Sequence, residues 1–208
     1  MAQSGNLLSR ALEAGPAEEG DEIFERILDA AMIEAEAKGL ERITMDAVSA
    51  RAKVGRMTVY RRFGSKEDLT AALAQREATR GLVAIAAAVD LTDDIPTQVA
   101  DGFVAALGVA AAHPLLKRAA RFEPEVLLTS FNDPDDPLFS MLRAFVAAQI
   151  TAAAAAAGTG LRADPEEAAE ILVRIGLSYL LIPGGIVDVT DEASARRLAE
   201  TLIAPIVA

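Results

Sequence analysis

Residues 44–66 read TMDAVSARAKVGRMTVYRRFGSK, and the way this stretch breaks into pieces decides the fold. Thr44 is the kind of residue that starts a helix, because its hydroxyl accepts from an amide one turn on. Ala47, Val48 and Ala52 then fall on one face of a short helix. Residues 53–55 are too few for anything but a tight turn. The spacing predicts a further helix over Arg56–Phe63, broken by Gly64, and Ser65 with Asp68 makes a capping box that opens a longer one. Two short helices across a tight turn, resting on an apolar helix upstream, form a helix-turn-helix.

Charge singles out the same stretch. The chain of 208 residues carries a net charge of −11. Between Arg51 and Lys66 stand six basic residues, Arg51, Lys53, Arg56, Arg61, Arg62 and Lys66, and no acid, so the rest of the chain bears −17. A compact cationic island on an acidic protein marks where an anion docks and where it does not. The helical period sorts the island into faces. Val59 and Phe63 are four apart and point inward, Met57 pairs with Arg61, and Thr58 with Arg62. A short helix with a cationic outer face fits the major groove of double-stranded DNA. Arg56, at the helix start, is placed to read guanine. Tyr60, Arg62 and Lys66 suit phosphates, as do the helix starts at Thr44 and Ser65.

These residues resemble the DNA-binding domain of the TetR family of repressors. Ala52, Val54, Thr58, Val59, Tyr60, Phe63, Ser65, Lys66 and Leu69 match its pattern. The match covers about a quarter of the chain. Two positions depart from it: Lys53 stands at the usual turn glycine, and Gly55 at the usual Ser/Thr cap. The first brings strain if φ is positive, and the second forgoes a side-chain cap.

The rest of the chain reads as helix, rich in alanine and poor in β-branched alternation. Residues 1–20 read as a disordered tail. A first helix is expected over 21–38, with Ile23, Ile27, Ala31 and Ala35 as its stripe and Gly39 as its stop. The domain division expected is 21–65 for the helix-turn-helix and 66–208 for a C-terminal domain, joined by a fourth helix over about 65–89. Pro96, Pro114 and Pro124 open further helices, 132–137 is a polar loop, and 138–157 is a long alanine-rich helix stopped at Gly158. Asp164-Pro165 with Glu167 opens a helix to about Ile182, and a last helix runs over about 191–203. The fold class is all-α, with about nine helices.

Composition narrows the function. There is no cysteine and one histidine, so thiolate chemistry and a metal site find no ligands, and no acid–base constellation suggests an enzyme. No cofactor is implied. No stretch approaches 18 uninterrupted strongly apolar residues, so a cytoplasmic protein without a membrane segment is expected.

The resemblance further implies a homodimer, an effector cavity in the C-terminal domain and release from a palindromic operator. Bulky and charged side chains nominated for the cavity are Phe103, His113, Arg118, Arg121, Phe122, Phe139, Phe145, Arg174 and Tyr179. They hint at a hydrophobic small molecule. Arg174 lies within an apolar run and is expected to pair with an acid across an interface or to meet an anion. Ala168, Ile171, Leu172, Ile175, Leu198 and Leu202, recurring at helical spacing, are nominated for the dimer interface. The rival readings are an all-helical small-molecule carrier without specific DNA binding and a protein that coats DNA without sequence preference.

Overall fold

The computed structural model describes residues 22–132, 136–182 and 184–208, and these form helices joined by short turns, with no strand among them. The expected tail over 1–20, and residues 133–135 of the expected loop, lie outside the described residues.

The N-terminal part packs four helices: α1 (Glu22–Lys38), α2 (Met45–Ala52), α3 (Arg56–Phe63) and α4 (Lys66–Ala87), with a 3₁₀ turn at Leu40–Arg42 after α1. α1 buries Ile27, Leu28, Ala31 and Ala35, the stripe its period demands. Its chain turns at Gly39, whose φ of 90° suits a residue without Cβ. Ile43, Val48, Val59, Phe63, Leu69 and Leu73 close over that stripe, and Phe63 stacks on Phe24 at 4.8 Å. The apolar faces of α2 and α3 are therefore turned inward and their charges outward. α4 ends at Ala87, two residues short of the expected end.

The C-terminal part comprises α5 (Ile95–Ala112), α6 (Pro114–Phe122), α7 (Pro124–Asn132), α8 (Pro137–Ala157), α9 (Pro165–Leu181) and α10 (Glu192–Leu198). Aspartates cap four of these starts: Asp94 accepts from Thr97, Asp136 from Leu138, Asp164 from Glu166 and Asp191 from Ser194, each at 2.9 Å. The final helix is longer than expected. After α10 the chain widens into a π turn at Ala199–Ile203 and finishes as α11 (Ala204–Val207). Pro205 falls in the first turn of α11, where a missing N–H does no harm.

A second apolar cluster, built from Val99, Phe103 and Leu107 of α5, Ile150 of α8, Leu172 of α9 and Leu198, Ile203 and Val207 of the last run, fills this part. Several residues nominated for the dimer interface take part in it. Ala168, Leu172 and Leu198 are buried in this cluster, and Ile175 packs against it, so they complete the protomer's own core. Ile171 and Leu202 remain outside, 45% and 63% exposed. At Arg174 the expectation is corrected. It is solvent-exposed, bonds Glu170 one turn earlier at 3.0 Å and lies over the Phe139 ring. Its helix is apolar in sequence, but its own position faces water.

Helices Ile95–Ala112 and Leu138–Ala157 are long and apolar enough, by length and composition, to cross a membrane. Alanine raises their hydropathy without making them strongly apolar runs, and both contribute to the cluster just described.

Candidate nucleic-acid interface

The turn between α2 and α3 sets the interface. Lys53 adopts φ 54°, ψ 42°, and is the one non-glycine residue with positive φ among the described residues. Its N–H donates to the Ala50 carbonyl at 3.3 Å, and the Val54 N–H to the Ser49 carbonyl at 3.1 Å. That pair of bonds is the Schellman closure of a helix, which calls for a left-handed residue. The strain anticipated at Lys53 is therefore present, and the exposed ammonium stands between the two helices. Gly55 caps α3 without a side-chain bond. A Cβ there would meet Thr58 Oγ1 at an ordinary 3.7 Å, so glycine is not needed for space.

α3 presents Arg56, Met57, Arg61 and Arg62 to solvent while Val59 and Phe63 are buried, with Thr58 and Tyr60 at the boundary. Met57 is 78% exposed, so a large apolar side chain stands on the outer face beside the cations. The Arg56 Nε lies 3.0 Å from Asp46 Oδ1 in α2, and the guanidinium sits over the Tyr60 ring, with Nη2 3.5 Å from the hydroxyl. The Tyr60 hydrogen bond and the Asp46 charge both raise the pKa of Arg56 above its ordinary value.

The flanks are built from caps. The Thr44 hydroxyl accepts from the Ala47 N–H at 3.2 Å. The Ser65 hydroxyl accepts from the Asp68 N–H at 3.1 Å, and Asp68 returns a bond to the Ser65 N–H. Lys66 donates to the Glu41 carbonyl at 2.5 Å, tying the start of α4 to the 3₁₀ turn. An ammonium has three donors, so two are left for a phosphate.

Arg51 stands apart from the other nominated contacts. Its guanidinium bonds Glu34 of α1 at 2.7 Å, and Lys38 bonds the same carboxylate at 2.6 Å. Glu34 is 4% exposed, and its carboxyl is held below the ordinary 4.5, first by Lys38 and then by Arg51. Arg51 therefore spends its charge holding α2 on α1.

The nominated effector residues have several kinds of surroundings. Phe103 and Tyr179 belong to the C-terminal cluster. Phe139 is fully buried between Arg143 and Arg174, each stacked on its ring, and Phe145 is half-buried on the same helix. Phe122 is 60% exposed, with Arg118 and Arg121 over its ring. His113 faces Glu77 of α4 at 3.4 Å. Glu77 also bonds Arg76, which reaches Glu25 and Asp29 of α1 at 3.1 and 2.8 Å. This ion network, which sequence reasoning missed, joins α1, α4 and the start of α6. Its pairs between helices lie 36 to 51 residues apart, and no periodicity connects them. Asp46 was missed for a similar reason, since its partner is on another helix.

Comparison with known proteins fits this geometry. Residues 27–73 match the profile of the family described as bacterial regulatory proteins, tetR family. No curated protein sequence matches the chain. Solved structures share the fold along nearly the whole length. A bacterial regulatory protein of the tetR family from Rhodococcus RHA1 is 21% identical, with 89% of this chain and 97% of that one covered and a TM-score of 0.59. The TetR family repressor AlkX from Dietzia sp. strain DQ12-45-1b, implicated in biodegradation of n-alkanes, is 22% identical, with coverage of 91% and 96% and a TM-score of 0.59. SmeT, solved in complex with triclosan, is 23% identical, with coverage of 90% and 92% and a TM-score of 0.58. Residues 27–73 thus form a helix-turn-helix domain that matches the tetR family of bacterial regulatory proteins, and the solved structures share the fold of the whole chain.

Proposed function

We propose that this regulator is a cytoplasmic homodimeric repressor, rather than an enzyme, that binds a palindromic DNA operator through α3 and leaves it when a small apolar molecule binds the C-terminal part. The observation that carries DNA readout is α3 itself, with Arg56, Met57, Arg61 and Arg62 outward and Val59 and Phe63 locked inward. Lys53, Lys66 and the helix starts at Thr44 and Ser65 serve the phosphates. The domain boundary we adopt falls inside α4, because Leu69 and Leu73 pack in the N-terminal core while the rest of the helix leads away from it.

A second copy would cover the exposed Ile171 of α9 and Leu202 of the π turn, and a two-fold dimer would set two α3 helices about 34 Å apart. An apolar effector is favoured by the large apolar side chains the C-terminal part leaves in water, Phe122 and Leu128 among them, and by the triclosan bound to SmeT. α6 packs on α1, α5 and α9, so a ligand that prefers one placement of α6 shifts the population of α1–α4 placements with it. The carrier reading has no use for an outward cationic α3, and a total of −17 outside the island works against non-specific coating.

Selecting duplexes from a random pool, with affinity followed against salt, tests the proposal. A palindromic consensus bound by a dimer in sedimentation is expected. Equal affinity for every duplex, or a monomer on DNA, overturns it. With the consensus in hand, Arg56→Ala changes which base pairs are preferred. Lys66→Ala weakens all duplexes alike and lowers the salt slope by about one.

A further inference from the structure

We propose that Asp46, at the start of α2, is a positioning residue for base readout: its carboxylate holds the Arg56 guanidinium ready for a guanine edge. The proposal rests on the reading of α3 as the recognition helix. Asp46 is the single acid between Thr44 and Lys66, and it is solvent-exposed beside the cations of α3. A carboxylate on the DNA-facing surface opposes affinity for phosphate. Its placement makes sense where orientation matters more than charge.

The geometry supplies that orientation from two elements. Asp46 Oδ1 sits 3.0 Å from Arg56 Nε across the turn, and from within α3 the Tyr60 ring lies 5.4 Å beneath the guanidinium carbon, with its hydroxyl 3.5 Å from Nη2. A guanidinium has five N–H donors. Those two hydrogen-bond contacts occupy Nε and one donor of Nη2, and leave both donors of Nη1 and one of Nη2. These form the end of the fork, which can pair with guanine O6 and N7 together. An arginine not held in this way samples many rotamers and reaches phosphates as readily as bases. A held one loses little freedom on pairing and is kept from the backbone.

The experiment uses the full-length protein and the duplex selected by it. The G·C pair at which Arg56→Ala loses discrimination is first located, and binding is then compared with that pair intact and replaced by A·T. Asp46→Ala is expected to bind random duplex at least as tightly as the parent, with a salt slope steeper by about one as Arg56 becomes available to a phosphate. Discrimination at that one pair is expected to fall by roughly fivefold. Asp46→Asn keeps an acceptor without the charge and falls between the two. In the double variant with Arg56→Ala, Asp46→Ala adds no further loss at that pair. Unchanged discrimination in Asp46→Ala overturns the proposal, and so does an additive double variant. Equal weakening of all duplexes with a lowered melting temperature overturns it as well, since a carboxylate serving only the start of α2 would behave that way. A parent protein without any sequence preference defeats the recognition-helix reading itself, which is a different result from a selective parent that Asp46→Ala leaves selective.

Discussion

The two halves of this chain bury their side chains differently. In the helix-turn-helix half, Ile27, Leu28, Ile43, Val48, Val59, Leu69 and Leu73 are sealed from water. In the larger C-terminal half, Phe139 and Val207 are the large side chains buried to that degree among the described residues, and alanines line much of the remaining contact. The exposed large apolar residues divide the other way. Ile33 and Met57 stand in the first part, whereas Val83, Leu91, Phe122, Leu128, Ile171, Ile182, Ile186 and Leu202 follow α4's turn away from the N-terminal core. A reader of base edges needs its helices held rigidly, and sealed interlocking side chains do that. A part proposed to meet a second copy and an effector has use for apolar surface left exposed.

The contrast is most directly broken by equal truncations on the two sides. Leu73→Ala, in the sealed core, is expected to lower unfolding free energy by about 3 kcal/mol in a urea titration. Val83→Ala, on the exposed side of the same helix, is expected to change it by no more than about 0.5 kcal/mol. Similar losses at both positions would remove the distinction.

A smaller effect sharpens the account of the first half. Glu34→Gln removes the anion shared by Lys38 and Arg51, and is expected to cost about 1–2 kcal/mol, since both cations can turn to water. The pH dependence has a definite sign. Folding holds the Glu34 pKa below 4.5, so its contribution is complete above that pH and is lost as pH falls through the folded value. The variant's stability should therefore decline less steeply with acid than the parent's, and parallel curves would count against the role given to Glu34.

The smallest expected effect concerns the turn. Lys53→Gly relieves a left-handed lysine and is expected to stabilise the fold by about 0.5 kcal/mol, after the flexibility glycine adds to the unfolded chain is set against the strain removed. The same change should reduce the salt slope of DNA binding by about one. A less stable variant would mean that the Lys53 side chain makes a stabilising contact.

Much of the architecture was legible in sequence because its punctuation is local. Thr44, Ser65 with Asp68, and Asp164 before Pro165 each act within one turn, and each start is where its cap chemistry puts it. The outward face of α3 was legible for the same reason, as Val59 and Phe63 fix its inner face. What was not legible depends on distant partners. Arg51 looks like any other cation of the island until Glu34, seventeen residues earlier, is brought beneath it. Ala168, Leu172 and Leu198 follow a helical period, but a period does not say whether the partner is the same protomer or a second one. The π turn before Pro205 was hidden because proline ordinarily stops a helix, and here the widened turn carries the chain past it.

Leu115 of α6 packs into the N-terminal core, its one contributor from beyond α4 among the described residues. The reader is therefore not a detachable module. Excised after α4, it would carry a leucine-sized notch in its flank, and the segment that fills this notch belongs to the other half of the chain.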